Sequence, residues 1–190
     1  MPPETRKIGS PGIEYGNEII IGDENQNPVA TNEEGEILVR GPNVMQKYLE
    51  RPEETAKTGT TDGWLRTGDL GRMDEDGFVF VTGRIKELII KGGENIAPRE
   101  IDEALLQHEA VLEAAAFPRP CKNYGQRVEA CVRLKDGRAI SENELREFCE
   151  SLIGAYKTPE HIHFLHDLPK GPSGKVQRMK LIELAPFQNG

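Results

Sequence analysis

The chain has 190 residues, room for one domain or two small ones, with a formal net charge of -8 and 36% hydrophobic residues. That acidic balance argues against a general nucleic-acid or membrane-surface binder. Three cysteines (Cys121, Cys131, Cys149) with no CxxC spacing argue for reduced thiols rather than a disulfide framework.

In chain order, the first part is rich in turns. Gly9-Ser10-Pro11-Gly12, Asp23-Glu24-Asn25-Gln26-Asn27-Pro28 and Asn32-Glu33-Glu34-Gly35 punctuate short β-type runs at 18–21 and 36–39. Asp74-Glu75-Asp76-Gly77 predicts a tight turn between strands at 70–73 and 78–82. Residues 1–85 therefore read as a small all-β subdomain with too few bulky apolar residues to close a core alone. From 86 to 190 the pattern is that of a compact α+β domain. A hairpin spans 87–91 and 95–97 around Gly92-Gly93. Pro98 opens a helix at 99–107 with Ile101 and Leu105 on one stripe. Residues 111–118 and 127–134 read as buried strands. Ser141 and Glu144 form a capping box before a helix with the stripe Leu145, Phe148, Cys149 and Leu152. A third strand at 162–165 and a short helix at 180–184 complete a three-stranded sheet flanked by helices, plus the hairpin. The boundary near Ile85-Lys86 is a change of pattern rather than a flexible linker, and a charged junction of this kind is a candidate hinge.

The apolar runs are far too short to cross a bilayer, and Met1-Pro2-Pro3-Glu4 lacks a secretory signal pattern. The expected setting is soluble and cytoplasmic.

Three glycine-flanked motifs carry charge. In Thr67-Gly68-Asp69 the carboxylate can accept both O–H groups of a sugar diol, and Gly68 leaves room for approach. In Gly83-Arg84-Ile85-Lys86 the arginine offers a rigid fork for ribose or phosphate oxygens. Gly83 should end the strand and turn Arg84 away from the sheet. Gly92-Gly93 can lie against a long thin ligand. In Pro172-Ser173-Gly174-Lys175 a compact ammonium can follow charge as it builds on a phosphoryl centre. This is not a Walker A loop, since Pro169 stands at the first glycine position and Val176 follows the lysine. Taken singly, each motif has a plainer reading: an Asx turn for Asp69, surface ion pairs for Arg84 and Lys86, a hairpin turn at Gly92-Gly93, an exposed turn lysine at Lys175. Between 168 and 182, Lys170, Lys175, Arg178 and Lys180 stand with no acid, which suits one local anion or a solvated basic tail. His161 and His163 share a strand face with His166 nearby. A solvated face is the simpler reading there than a metal site. Cys131 and Cys149 fall on apolar stripes.

The order of the motifs resembles the C-terminal part of the adenylate-forming enzymes: acyl-CoA synthetases, firefly luciferase and peptide-synthetase adenylation domains. The segments that carry the resemblance span nearly the whole chain. They are Gly35-Glu36-Ile37-Leu38-Val39-Arg40-Gly41, Gly63-Trp64-Leu65-Arg66-Thr67-Gly68-Asp69-Leu70, Gly83-Arg84-Ile85-Lys86-Glu87-Leu88, Gly92-Gly93-Glu94-Asn95, Tyr156-Lys157-Thr158-Pro159 and Ser173-Gly174-Lys175-Val176-Gln177-Arg178. Lys47-Tyr48 departs from the Gly-Tyr common in the family. The resemblance implies an acid–thiol ligase that uses ATP and Mg²⁺ to form an acyl-adenylate, then coenzyme A to displace AMP. It implies Asp69 and Arg84 at the ribose hydroxyls, Lys86 as the hinge, Lys175 as the adenylation lysine and a lysine acetylation motif around it, and Gly92 and Gly93 along the pantetheine path. The C-terminal domain would rotate between the two steps. The Gly-Arg-Ile-Lys-Glu-Leu-Ile run is somewhat like that of short-chain and oxalate-type CoA ligases.

The phosphate loop and acyl pocket of that family have no counterpart in these residues. The chain is therefore expected to be the C-terminal fragment of such a ligase, inactive by itself and dependent on an upstream N-terminal domain. The alternative is a stand-alone, non-catalytic module of the same fold that binds AMP, CoA or a protein partner.

Overall fold

The computed structural model describes residues 6–59 and 62–184, and Met1-Pro2-Pro3-Glu4 lies outside them. The chain divides into two compact units, one running to Lys86 and the other from Glu87.

The first unit is a four-stranded antiparallel sheet in the order β1 (Glu18–Gly22), β2 (Gly35–Arg40), β3 (Leu65–Met73), β4 (Val79–Arg84). Alternating apolar residues supply its small core, in which Ile21, Ile37 and Val79 are buried and Ile19, Val39, Met73 and Val81 pack against them. The β3–β4 turn is set by Asp74, whose Oδ1 accepts from the amides of Asp76 and Phe78 at 3.0 and 2.9 Å, while Gly77 takes φ 80°. Two expectations need correction. The unit is not wholly β: α1 (Pro52–Thr58) lies between β2 and β3, opened by Pro52 with Glu53 and Glu54 in its first turn. And β4 does not stop at Gly83. It carries Arg84 as a paired strand residue opposite Asp69, because β3 extends back to Leu65 and gives Arg84 a partner.

The second unit is α+β. Its sheet runs β6 (Glu94–Ile96), β5 (Ile89–Lys91), β8 (Gly125–Leu134), β7 (Val111–Cys121), with β9 (His161–Phe164) parallel to β8. The hairpin expected to stand beside a three-stranded sheet instead joins it, through the pair Lys91↔Gly125. Period-two alternation in β7 and β8 feeds two cores. Ala116, Val128, Ala130 and Val132 face α2 (Pro98–Leu106) and α3 (Glu142–Ile153), which bring Ile101, Leu105, Leu145 and Cys149. Ala115, Phe117 and Cys131 face the other way, onto Leu168 and onto Leu181 of α4 (Arg178–Leu184). A sheet covered on both faces explains why these strands read as near-continuous apolar runs. The α3 capping box is formed as the sequence requires, Ser141 Oγ accepting from the Glu144 amide at 3.3 Å and Glu144 Oε2 from the Ser141 amide at 3.0 Å. Leu152, expected on the buried stripe of α3, is instead 45% exposed, and Ile153, which continues the Leu145–Cys149 stripe at a spacing of four, packs on the core in its place.

Candidate functional site

Asp69 and Arg84 face each other across β3 and β4, and Arg84 Nε meets Asp69 Oδ1 at 2.8 Å. Both keep contact with solvent, their side chains 29% and 55% exposed. Local bonds set the Asp69 backbone. Its amide donates to Thr67 Oγ1 at 3.1 Å, and that hydroxyl donates to the Ile37 carbonyl at 2.8 Å. Gly68, at φ 74°, donates its amide to Glu36 Oε1 at 3.1 Å, and Arg66 Nε donates to the other oxygen of Glu36 at 2.8 Å. Glu36 is 7% exposed, a charged side chain buried between the guanidinium and the glycine turn. The motif Gly35-Glu36 was legible, but the glutamate's part in holding Gly68 was not. A charge standing where strand alternation calls for an apolar residue was the available signal. The carboxylate is still 29% exposed, so it retains acceptor capacity toward a ligand while the arginine holds its Oδ1.

Gly92 and Gly93 form the β5–β6 turn at φ 58° and 91°. A Cβ on Gly92 would lie 3.3 Å from both the Tyr124 ring and the Tyr156 hydroxyl, whereas one on Gly93 would meet nothing within 4 Å. The turn is clasped from both sides. The Gly92 amide donates to the Tyr124 carbonyl at 2.9 Å, the Tyr156 hydroxyl donates to the Lys91 carbonyl, and Lys91 Nζ donates back to the Tyr156 carbonyl at 3.1 Å. Lys91 is itself buried, its ammonium 5.1 Å from the Tyr156 ring centre.

Lys175 sits on the second leg of a hairpin, just past the turn Gly171–Gly174 and next to the bridge Lys170↔Val176. Inside the loop the Gly174 amide donates to the Gly171 carbonyl at 2.9 Å and the Gly171 amide to the Lys175 carbonyl at 2.8 Å. Below it, Val176 packs on the Phe117–Leu181 core and Lys170 pairs with Glu113 on β7. The Lys175 side chain is exposed, with no hydrogen-bond or ion-pair partner among the described residues. Lys86 lies exposed in the 3₁₀ turn Ile85–Glu87 where the two units meet in sequence.

The basic run at 168–182 is therefore not one free cationic patch. Lys170 is paired with Glu113, and Arg178 is held by Asp102 and Glu87. The histidine face is not solvated either. His163 is 6% exposed and lies 2.9 Å from Glu129 Oε2, and His161 Nδ1 lies 3.3 Å from Glu142. Sequence spacing hid both carboxylates because they come from β8 and α3. Glu129 is buried among Arg119, Arg127 and His163. Burial alone would push its carboxyl up, but the bonds from His163 and Arg119, the Arg119 charge and the Arg127 bond outweigh that and hold it at about 2. Cys131 and Cys149 are in the core, where burial raises their thiols to about 12 and about 11. Among the described residues no group of three His, Cys, Asp or Glu could hold a metal ion. No described helix is long and apolar enough to cross a membrane.

Residues 100–175 match the family described as "AMP-binding enzyme C-terminal domain". The chain is 48% identical over 185 residues to the sulfoacetate–CoA ligase of Cupriavidus necator, a match that takes in 97% of this chain and 36% of the relative. It is 44% identical over 164 residues to a long-chain-fatty-acid–CoA ligase of Bacillus subtilis, covering 86% of this chain and 29% of the relative. Among solved structures, the o-succinylbenzoate CoA synthetase (MenE) of Bacillus subtilis, in complex with its acyl-adenylate intermediate, superposes with a TM-score of 0.85 at 39% identity. That match covers 92% of this chain and 36% of the other. The chain thus spans about a third of the length of the relatives it matches.

Proposed function

The chain belongs to the adenylate-forming family as the part that carries its C-terminal domain, and from that premise we propose that it serves as the C-terminal third of an ATP-dependent, AMP-forming acyl-CoA synthetase. In the first half-reaction a carboxylate oxygen attacks the α-phosphorus of ATP and the bond to pyrophosphate breaks, leaving an acyl-adenylate. In the second, the thiol of coenzyme A attacks the acyl carbon and AMP departs. Asp69 accepts hydrogen bonds from the ribose hydroxyls, and Arg84 orients that carboxylate and reaches the same sugar. Lys175 places its positive charge beside the oxygens of the reacting phosphate and carboxylate as negative charge concentrates there, a contact stronger in the transition state than before it. Lys86 is the hinge at which the second unit turns between the half-reactions, and Gly92-Gly93 then lies along the pantetheine arm of CoA. Mg²⁺, held by ATP phosphates and donors outside this segment, would neutralise the pyrophosphate. The rest of the active site comes from an N-terminal domain of the kind that fills the other two thirds of the relatives, and a cytoplasmic setting suits these substrates.

Relatives named for acids as different as sulfoacetate and a long-chain fatty acid share this segment at similar identity, which favours a choice of acid made outside it. The observation that carries the reading is the exposed Lys175 ammonium, free of any partner among the described residues, just past the turn of a hairpin fixed at both legs. A fusion of this chain behind the N-terminal two thirds of the Cupriavidus ligase tests it. Carboxylate-dependent ATP–pyrophosphate exchange and CoA thioester formation are the expected results. A folded fusion that binds ATP but supports neither would instead favour a non-catalytic binding module.

A further inference from the structure

Arg178 lies three residues beyond Lys175 and is bonded through all three nitrogens of its guanidinium. Its Nη2 meets Asp102 Oδ2 at 2.6 Å and its Nη1 meets Oδ1 at 3.3 Å, a forked pair with the carboxylate on α2. The same Nη1 donates to the Ala116 carbonyl of β7 at 2.9 Å, and Nε donates to Glu87 Oε2 at 2.8 Å. Asp102 completes the circuit, its Oδ1 accepting from the Ala116 amide at 2.6 Å. The arginine and aspartate side chains are only 18% and 11% exposed. One guanidinium therefore ties together the residue that follows Lys86, the helix α2, the edge strand β7 and the root of the Lys175 loop.

A surface tail has no use for a buried arginine with three separate anchors, and removing one partner of a buried pair leaves the other charge uncompensated. The nearby stem bonds show what the anchor serves. The Gln177 amide donates to the Pro169 carbonyl at 2.8 Å, so the leg that enters Arg178 is the leg that carries Lys175. We propose that Arg178 is a positioning residue for the adenylation step. It fixes the root of the Lys175 loop against Asp102, Ala116 and Glu87, so that the ammonium is carried as one rigid piece with the segment that starts at the hinge. The proposal rests on the reading of Lys175 given above.

Two measurements separate this inference from that reading. In the 190-residue chain, amide hydrogen exchange reports the loop directly through the Gly171 and Gly174 N–H groups. Arg178→Lys, which keeps a charge but cannot make the fork, should speed exchange at both amides, while Lys175→Ala should leave them as they are. In the fusion described above, Arg178→Lys should slow adenylation about tenfold to a hundredfold, the scale of a reacting group displaced by about an ångström. It should leave thioester formation from preformed acyl-adenylate within about twofold. Glu87→Gln, which removes only the partly exposed anchor, should show the same selectivity with a smaller loss. Equal loss in both half-reactions would make Arg178 merely structural and overturn the inference, as would unchanged exchange at Gly171 and Gly174. Full adenylation in Lys175→Ala would instead overturn the functional reading itself, whatever Arg178 does.

Discussion

Asp69 and Arg84 are register partners on adjacent antiparallel strands, and the arginine Nε lies 2.8 Å from the carboxylate Oδ1. Because both side chains keep substantial solvent contact, the pair contributes little to stability, on the scale of about 0–1 kcal/mol for such pairs. The role proposed for it is orientation. Asp69→Asn should therefore leave the thermal midpoint of the chain nearly unchanged. In the fusion it should weaken ATP binding about tenfold to a hundredfold, the loss expected when a charged hydrogen-bond acceptor to the sugar is removed. Calorimetric titration of ATP beside a thermal melt checks both halves, and a large drop in midpoint with unchanged affinity would reverse the assignment.

The Gly92 turn supplies a second test. An alanine there must hold φ near 58° and push against Tyr124 and Tyr156, each 3.3 Å away. The expected cost is about 1–2 kcal/mol of stability from the left-handed backbone alone. In the fusion the thioester step should fall while adenylation is spared. Denaturant melts and separate half-reaction assays measure the two effects. A loss confined to adenylation would move the glycines out of the CoA path.

Stability should depend on Glu129 at low pH. Its carboxyl is held at about 2 in the folded chain, below its ordinary value of 4.5. A depressed carboxyl contributes stability that is fully present above its unfolded value and is lost as pH falls through the folded one. Unfolding free energy should therefore decline between about pH 4.5 and 2 by up to one proton's share, about 1.4 kcal/mol per pH unit. Glu129→Gln should flatten that part of the profile while lowering stability at neutral pH, since Arg119 loses its buried partner. Urea melts from pH 2 to 7 test the sign.

Thiol accessibility gives an independent check on the second unit's core. Burial raises the Cys131 and Cys149 thiols to about 12 and about 11, so neither presents a thiolate at pH 8, whereas Cys121 is partly exposed. A disulfide reagent at pH 8 should modify one thiol quickly and two only on unfolding. Fast reaction of all three would contradict the packing of β8 and α3.

Much of the fold was legible because its signals are local. The Ser141–Glu144 capping box, Pro98 at a helix start and the Asp74–Gly77 turn each act within four residues, and each formed as read. What failed depended on partners distant in sequence. Arg84 read as turned away past a strand ended by Gly83, because nothing near it announces that Asp69 on β3 stands opposite. His163 read as solvated because Glu129, which buries it, comes from a neighbouring strand 34 residues away. Arg178 read as one of four free cations because Asp102 and Glu87 come from 76 and 91 residues upstream. The candidate site was legible in its residue types and order, since glycines beside charges survive on a page of sequence. Its supports, Glu36, Tyr156 and Arg178, were not, because a side chain's bracing contacts have no local pattern.

The most direct measurement is a half-reaction comparison of Lys175→Ala in the fusion. Carboxylate-dependent ATP–pyrophosphate exchange should fall about a hundredfold to a thousandfold, the scale of losing one electrostatic contact made chiefly in the transition state. Release of AMP from preformed acyl-adenylate by CoA should proceed within about twofold of the parent, because the role proposed for the lysine ends with the first half-reaction. Exchange at the parent rate in the folded variant would contradict the account.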